Sequence, residues 1–110
     1  MLLICNLFRD GDLVLIDAGC EYNNYSADIT RTFPISGKFT KPQLDIYNAT
    51  LRVQKEICSL VRTHHNGSPL SIKKLHRFSI YIMCEELIRL GLMSPSTMVR
   101  VTSSMNAYDD

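Results

Sequence analysis

The sequence has no excess of charge of either sign, because 12 lysine and arginine residues are balanced by 11 aspartate and glutamate residues, which leaves a net charge of +1. The two signs are interspersed along the 110 residues, so no nucleic-acid-binding or anionic-membrane surface is predicted. The chain also has no internal repeat and no low-complexity tract, and its length allows one domain at most. Chemistry on a small molecule or a peptide fits this composition better.

Cysteine is sparse as well, with four residues and no Cys-x-x-Cys pair. That usage is typical of reduced thiols in an intracellular protein, and none of the four is placed like a zinc ligand. The apolar opening, residues 1–8, is too short to span a bilayer and lacks the basic leader and cleavage site of a signal peptide. We expect this opening to be an internal strand, and no membrane partner is predicted.

Short apolar runs bounded by turn residues predict strands at residues 2–8, 12–17 and 25–33. A Tyr-Asn-Asn sequence separates the last two runs, and asparagine tolerates the left-handed backbone that tight turns require. We therefore expect a hairpin whose tip is centred between Tyr22 and Asn23.

Helical periodicity follows the strands. A capping box at residues 40–43 and the apolar stripe after it predict a helix that stops near residues 63–67. The sequence Ser-Pro-Leu-Ser at residues 68–71 opens a second long helix, which Gly91 closes as a left-handed cap. Periodicity is lost over residues 94–110, where we expect a poorly ordered or non-native tail. The expected fold class is α+β, an antiparallel hairpin sheet with two long helices packed on one face.

Two aspartates eleven positions apart, Asp17 and Asp28, lie in the strand-like runs. Aspartate is depleted from strands, so a carboxylate inside one needs a partner. In the expected hairpin the two stand directly opposite each other, with Cβ atoms about 4.5–5.5 Å apart, and their repulsion destabilises the sheet unless a cation neutralises it. A register shift of one residue would make the pair diagonal instead. A pair of divalent ions, which lie about 3.5–4 Å apart in hydrolytic sites, would do so. The alternatives are a turn residue for Asp17 and an ordinary ion pair with Arg31 or a lysine for Asp28.

The residues around this pair resemble a known family. The similarity is specific, includes the sequence Asp-Ile-Thr-Arg-Thr, and is carried by residues 12–22, 28–34 and 36–40. These runs resemble the Xaa-Pro aminopeptidases (aminopeptidase P) of the pita-bread metallopeptidases, and the helical segments are most similar to the eukaryotic mitochondrial subgroup that includes the intermediate-cleaving peptidase. The resemblance implies a partial pita-bread fold in which residues 1–93 are the N-terminal half of a catalytic domain.

The same resemblance implies a site for two divalent ions, usually manganese, held by two aspartates, one histidine and two glutamates. Asp17 matches the first aspartate, and Asp28 matches the second, which bridges both ions. Thr30 lies on the same strand face as Asp28 and is expected to orient its carboxylate, with ordinary strand formation as the alternative. The implied reaction removes an N-terminal residue from a peptide, with proline second or with a bulky first residue in processed precursors, through a metal-activated water that attacks the scissile carbonyl.

The ligand set is incomplete by the same comparison. The histidine should come from a His-x-x-Gly-His stretch, yet His64, His65 and His76 lack that pattern, and no later glutamates match. We therefore expect a truncated fragment that is inactive by itself, and no catalytic residue is assigned. The competing hypothesis is a non-catalytic pita-bread-like interaction module without metal, which a calorimetric titration with manganese would distinguish. A mitochondrial or cytoplasmic location and homo-oligomeric full-length relatives are also implied.

Overall fold

The computed structural model describes residues 8–63 and 70–106. Within them two strands precede three helices, which confirms the α+β class, and no helix has the length and apolar character needed to cross a membrane. The strand predicted at residues 2–8 lies almost entirely outside the described residues. The elements are β1 (Leu13–Tyr22), β2 (Tyr25–Pro34), α1 (Lys41–Thr63), α2 (Ile72–Arg89) and α3 (Pro95–Asn106).

The chain divides into two compact units, Met1–Leu44 and Asp45–Asp110, and each is described by itself. In the first unit β1 and β2 form a two-stranded antiparallel sheet. The predicted capping box supports the start of α1, because the Thr40 backbone N–H donates to Gln43 Oε1 over 2.9 Å. The Gln43 side-chain amide donates in turn to the Gly11 carbonyl oxygen over 2.9 Å, which ties the start of the helix to the turn before β1.

The hairpin is exposed along nearly its whole length. A two-stranded hairpin alone is marginally stable in water, so its turn and its cross-strand pairs contribute to its stability. One of its faces carries large apolar side chains that are between 43% and 82% exposed: Ile16, Tyr22, Tyr25, Ile29 and Phe33.

Local hydrogen bonds cap both ends of α2. A backbone N–H of its first turn donates to the Ser71 hydroxyl over 3.2 Å. At the other end Gly91 has a φ of 73°, and its amide donates to the Ile88 carbonyl oxygen over 2.9 Å. The next amide, of Leu92, donates to the Leu87 carbonyl oxygen over 2.8 Å. These two bonds form a Schellman motif, which confirms the predicted left-handed cap.

The buried side chains of the second unit come from α1 and α2. Ala49 and Val53 lie one helical turn apart on α1, and Ile82 and Glu86 lie one turn apart on α2, with Cys84 between them. The i, i+4 spacing of each pair turns one stripe of its helix inward, whereas Cys84 lies on the other side of α2. The buried set includes one charged residue, Glu86, and the sequence pattern did not predict its burial.

Glu86 is only 3% exposed, and two arginines satisfy its carboxylate. Arg89 donates to Oε2 from Nε over 3.0 Å and from Nη2 over 2.6 Å, while Arg52 Nη1 donates to Oε1 and so joins α1 to α2. The hydrogen bonds from Arg89 and then from Arg52 lower the pKa of Glu86. The pKa of each arginine is raised, chiefly by its bond to Glu86. Arg52 Nη2 also lies 3.6 Å from Glu85 Oε2, and Arg52 Nε lies 4.0 Å from Glu56 Oε1.

The third helix differs from the sequence expectation. Little regular structure was predicted over residues 94–110, yet α3 occupies Pro95–Asn106 and contacts α2. Ser94 supplies its N-cap, because the Ser94 hydroxyl accepts from the Thr97 amide over 3.4 Å, and proline suits the first helical position. The Ser-Pro sequence is a signal for a helix start, but the polar composition of the residues after it is typical of irregular structure.

Candidate metal centre

The two-residue loop of Asn23 and Asn24 sets the register of the hairpin. Both residues have left-handed backbones, with φ values of 50° and 66°. Two successive positive φ values are the mark of a type I′ turn, whose twist matches that of the flanking strands. The pair Tyr22 and Tyr25 closes the loop. The tip is therefore centred between the two asparagines, one residue beyond the predicted centre between Tyr22 and Asn23.

This difference changes the partners of the two aspartates. Asp17 faces Thr30, and Asp28 faces Gly19. The prediction that Asp17 and Asp28 stand directly opposite each other was wrong. They are diagonal neighbours on one face, where Cα atoms are about 7–8 Å apart and Cβ atoms somewhat closer. Both carboxylates keep the same face, because side chains repeat with a period of two along a strand.

Thr30 lies beside Asp17 in this register. Its hydroxyl Oγ1 is 3.4 Å from Asp17 Oδ1 and donates to it, whereas the sequence suggested that it orients Asp28. Counted outward from the two-residue loop, Asp17 with Thr30 and Asp28 with Gly19 are both non-hydrogen-bonded pairs of the ladder. Facing residues approach most closely in such pairs.

Gly19, the residue that faces Asp28, has no room for a side chain. A Cβ atom at this position would lie 2.5 Å from the carbonyl oxygen of Ala27. Glycine inside a strand often marks a close approach of another backbone. That general signal is present in the sequence, but it does not identify the approaching atom, so no role for Gly19 could be predicted from it.

The donor chemistry fits divalent metal ions. Two carboxylates on one exposed face offer the oxygen ligands that hard ions such as manganese prefer. Across residues 8–63 and 70–106, no group of three or more metal-binding side chains is found. Cys20 and Arg31 lie on the opposite face of the hairpin, and His76 is exposed on α2. His64 and His65 lie outside the described residues.

Residues 5–88 match the sequence model of metallopeptidase family M24. The chain belongs to this family. Xaa-Pro aminopeptidases of Haemophilus influenzae and Escherichia coli are each 46% identical to it over 85 residues, which are 77% of this chain and 19% and 18% of those proteins. Intermediate cleaving peptidase 55 of Schizosaccharomyces pombe is 40% identical over 87 residues, 79% of this chain and 17% of that protein. The resemblance to Xaa-Pro aminopeptidases is thus confirmed, and the chain spans less than a fifth of the length of these M24 relatives.

Two solved structures of Escherichia coli aminopeptidase P variants share the fold of this M24 chain. Their TM-scores are 0.68 and 0.67 at 39% and 37% identity, over 86% of this chain and 21% of the solved chain. They confirm the partial pita-bread fold. Each variant has one aspartate replaced by alanine, and the two replaced positions are eleven apart. Asp17 and Asp28 have the same spacing.

Proposed function

We propose that this chain supplies two metal ligands, Asp17 and Asp28, to the site of a dimetal Xaa-Pro aminopeptidase. The observation that carries the proposal is their placement on one hairpin face as diagonal neighbours. An M24 domain built for another purpose gains nothing from a pair of like charges at this position, because unneutralised they destabilise the sheet. The spacing of the substituted aspartates in the two solved variants supports the same assignment.

In this proposal Asp17 would help to hold one ion, and Asp28 would help to hold both. The Thr30 hydroxyl donates to Oδ1 of Asp17 over 3.4 Å, a long bond that favours one rotation of that carboxylate and leaves Oδ2 for an ion. When bound, a pair of divalent ions polarises the scissile carbonyl and makes water a competent nucleophile near neutral pH. We propose manganese as the ion and a peptide with proline in its second position as the substrate.

The remaining ligands implied by the resemblance, one histidine and two glutamates, are not grouped with the two aspartates among residues 8–63 and 70–106. Two carboxylates alone cannot fix two ions and a substrate, so we propose that this chain has no peptidase activity by itself. The mitochondrial or cytoplasmic setting implied by the resemblance stays a prediction.

Manganese titration monitored by nuclear magnetic resonance tests the ligand assignment without requiring activity. The paramagnetic ion should broaden the amide signals around Asp17 and Asp28 first, since broadening falls steeply with distance. Asp17→Asn and Asp28→Asn keep the shape of each side chain but remove its charge, and each should weaken apparent affinity by about tenfold or more, the loss typical of disturbed metal sites. Asp10→Asn, which removes the same charge from the exposed loop before β1, is the matched control.

Two results would count against the assignment. Broadening that is unchanged in Asp28→Asn would place the bound ion elsewhere in the chain. The complete absence of broadening in the hairpin would favour the metal-free interaction module instead.

A further inference from the structure

We propose that Gly19 is a positioning residue of this site, because its lack of a side chain lets β2 approach β1 closely enough for Asp17 and Asp28 to share one pair of ions. The inference rests on the proposed ligand roles of the two aspartates. Gly19 connects them structurally, since it is the cross-strand partner of Asp28 and lies two residues from Asp17 on the same strand face.

The obstacle to a side chain at Gly19 is main chain. A Cβ atom there would lie 2.5 Å from the carbonyl oxygen of Ala27 and 3.6 Å from its carbonyl carbon. Real Cβ atoms essentially never come within 3.0 Å of another heavy atom, and ordinary contact begins at 3.4 Å. A methyl group would therefore require a backbone shift that lengthens this Cβ-to-oxygen distance by about 0.5–0.9 Å, because a backbone carbonyl cannot rotate away as a flexible side chain can.

That displacement acts directly on the ligands. The Ala27 carbonyl belongs to the peptide unit that precedes Asp28, so moving it moves the Asp28 backbone. Metal–ligand distances hold to within about 0.2 Å, so a backbone shift of about 0.5 Å or more exceeds what the site tolerates. Sites that are about 1 Å too loose lose function even when every residue is present.

The other described glycines have a different purpose. Gly11, Gly37 and Gly91 have φ values of 95°, 74° and 73°, and a Cβ atom at each would meet nothing within 4 Å. They supply the left-handed backbone of turns and of the helix cap. Gly19 has no such φ value, so close approach, and not backbone freedom, explains glycine at this position.

The test is Gly19→Ala in the full chain, made in an Asn24→Gly background. Asn-Gly is the most favourable pair for a type I′ turn, so the background stabilises the hairpin against general unfolding. Broadening by manganese measures metal binding at the site. Cross-strand proton contacts between Tyr22 and Tyr25 and between Val14 and Phe33 show whether the strands stay paired near the two ends of the hairpin. Ser26→Ala changes the same face of β2 without adding an atom near Ala27, and it serves as the control.

We expect Gly19→Ala to lower the apparent manganese affinity at least about tenfold, with Ser26→Ala within twofold of the background. The contacts at both ends of the hairpin should persist, while those between positions 17 and 30 and between 19 and 28 weaken. Unchanged affinity in Gly19→Ala would overturn the inference. Loss of the end contacts as well would also overturn it, because Gly19 would then serve the whole hairpin and not the site.

The two proposals fail in different ways. If the background chain itself shows no manganese broadening in the hairpin, the ligand assignment fails. The positioning inference, which rests on that assignment, fails with it, whereas broadening that is present in the background and unchanged in Gly19→Ala overturns the positioning inference alone.

Discussion

Replacing Asp28 with asparagine should stabilise the metal-free hairpin while it weakens metal binding. Asp28 has two carboxylate neighbours on its face, because Asp17 and Glu21 lie diagonally on either side of its partner Gly19. Asp17 has one diagonal carboxylate neighbour on β2, which is Asp28. The Thr30 hydroxyl also donates a hydrogen bond to Asp17. Asp28→Asn should therefore relieve more repulsion than Asp17→Asn.

The size of the effect follows from the register. Carboxylates about 6 Å apart in exposed surroundings repel each other by about 0.7 kcal/mol in water. Salt reduces this to roughly 0.6 kcal/mol at 0.01 M, 0.4 kcal/mol at 0.1 M and 0.1 kcal/mol at 1 M, since the Debye lengths are about 30, 10 and 3 Å. At low salt the relief of one pair changes the folded-to-open ratio of the hairpin nearly threefold.

A marginally stable hairpin makes so small a change measurable. The hairpin population of the whole chain can be followed by proton chemical shifts in buffer with a chelator at the three salt concentrations. Asp10→Asn again controls for the loss of one negative charge outside the strands. The reasoning is refuted if Asp28→Asn gives no gain at low salt, if its gain is the same at 1 M salt, or if Asp10→Asn gives as much.

Two further predictions concern the helical unit and activity. Because Arg89 and Arg52 lower the folded-state pKa of Glu86, their stabilisation is present above the unfolded glutamate pKa of about 4.3 and is lost as the pH falls below it. Glu86→Gln should lower the melting temperature near neutral pH and flatten its fall below about pH 4, as followed by circular dichroism. Glu56→Gln, at an exposed partner of Arg52, should change little. An acid slope that is unchanged by Glu86→Gln would contradict the ion-pair account. The purified chain with manganese should release no N-terminal residue from an Xaa-Pro peptide, and turnover abolished by Asp28→Ala would show that the chain is active by itself.

Local signals in the sequence predicted local structure correctly. The Gln43 bond of the capping box at Thr40 and the glycine cap at Gly91 formed as expected, and the cap of α2 lies at Ser71, the last residue of the predicted opening, because each depends on hydrogen bonds within a few residues. The start of α3 at Ser94 is a signal of the same kind. It was missed because the polar composition of residues 94–110 is typical of irregular structure.

The hairpin register and the burial of Glu86 could not be predicted in this way. Moving the tip from between Tyr22 and Asn23 to between Asn23 and Asn24 shifts the facing partner of every residue by two, so each side chain keeps its face and the hydrophobic pattern cannot distinguish the two registers. The turn geometry alone decides between them. Glu86 is buried because Arg52, 34 positions away, reaches it, and such a distant partner has no local signature.

Taken singly, the features of the hairpin oppose its stability. Like charges repel at Asp17 and Asp28, an interior glycine weakens a strand at Gly19, and two asparagines occupy left-handed backbones in the loop. Natural sequences break such local rules chiefly at functional sites, where another gain compensates. A shared pair of ions would compensate for the first two at once, since it neutralises the carboxylates and requires the close approach that glycine permits. The type I′ loop then has a part in the site as well, because its register alone decides that Gly19, and no bulkier residue, faces Asp28.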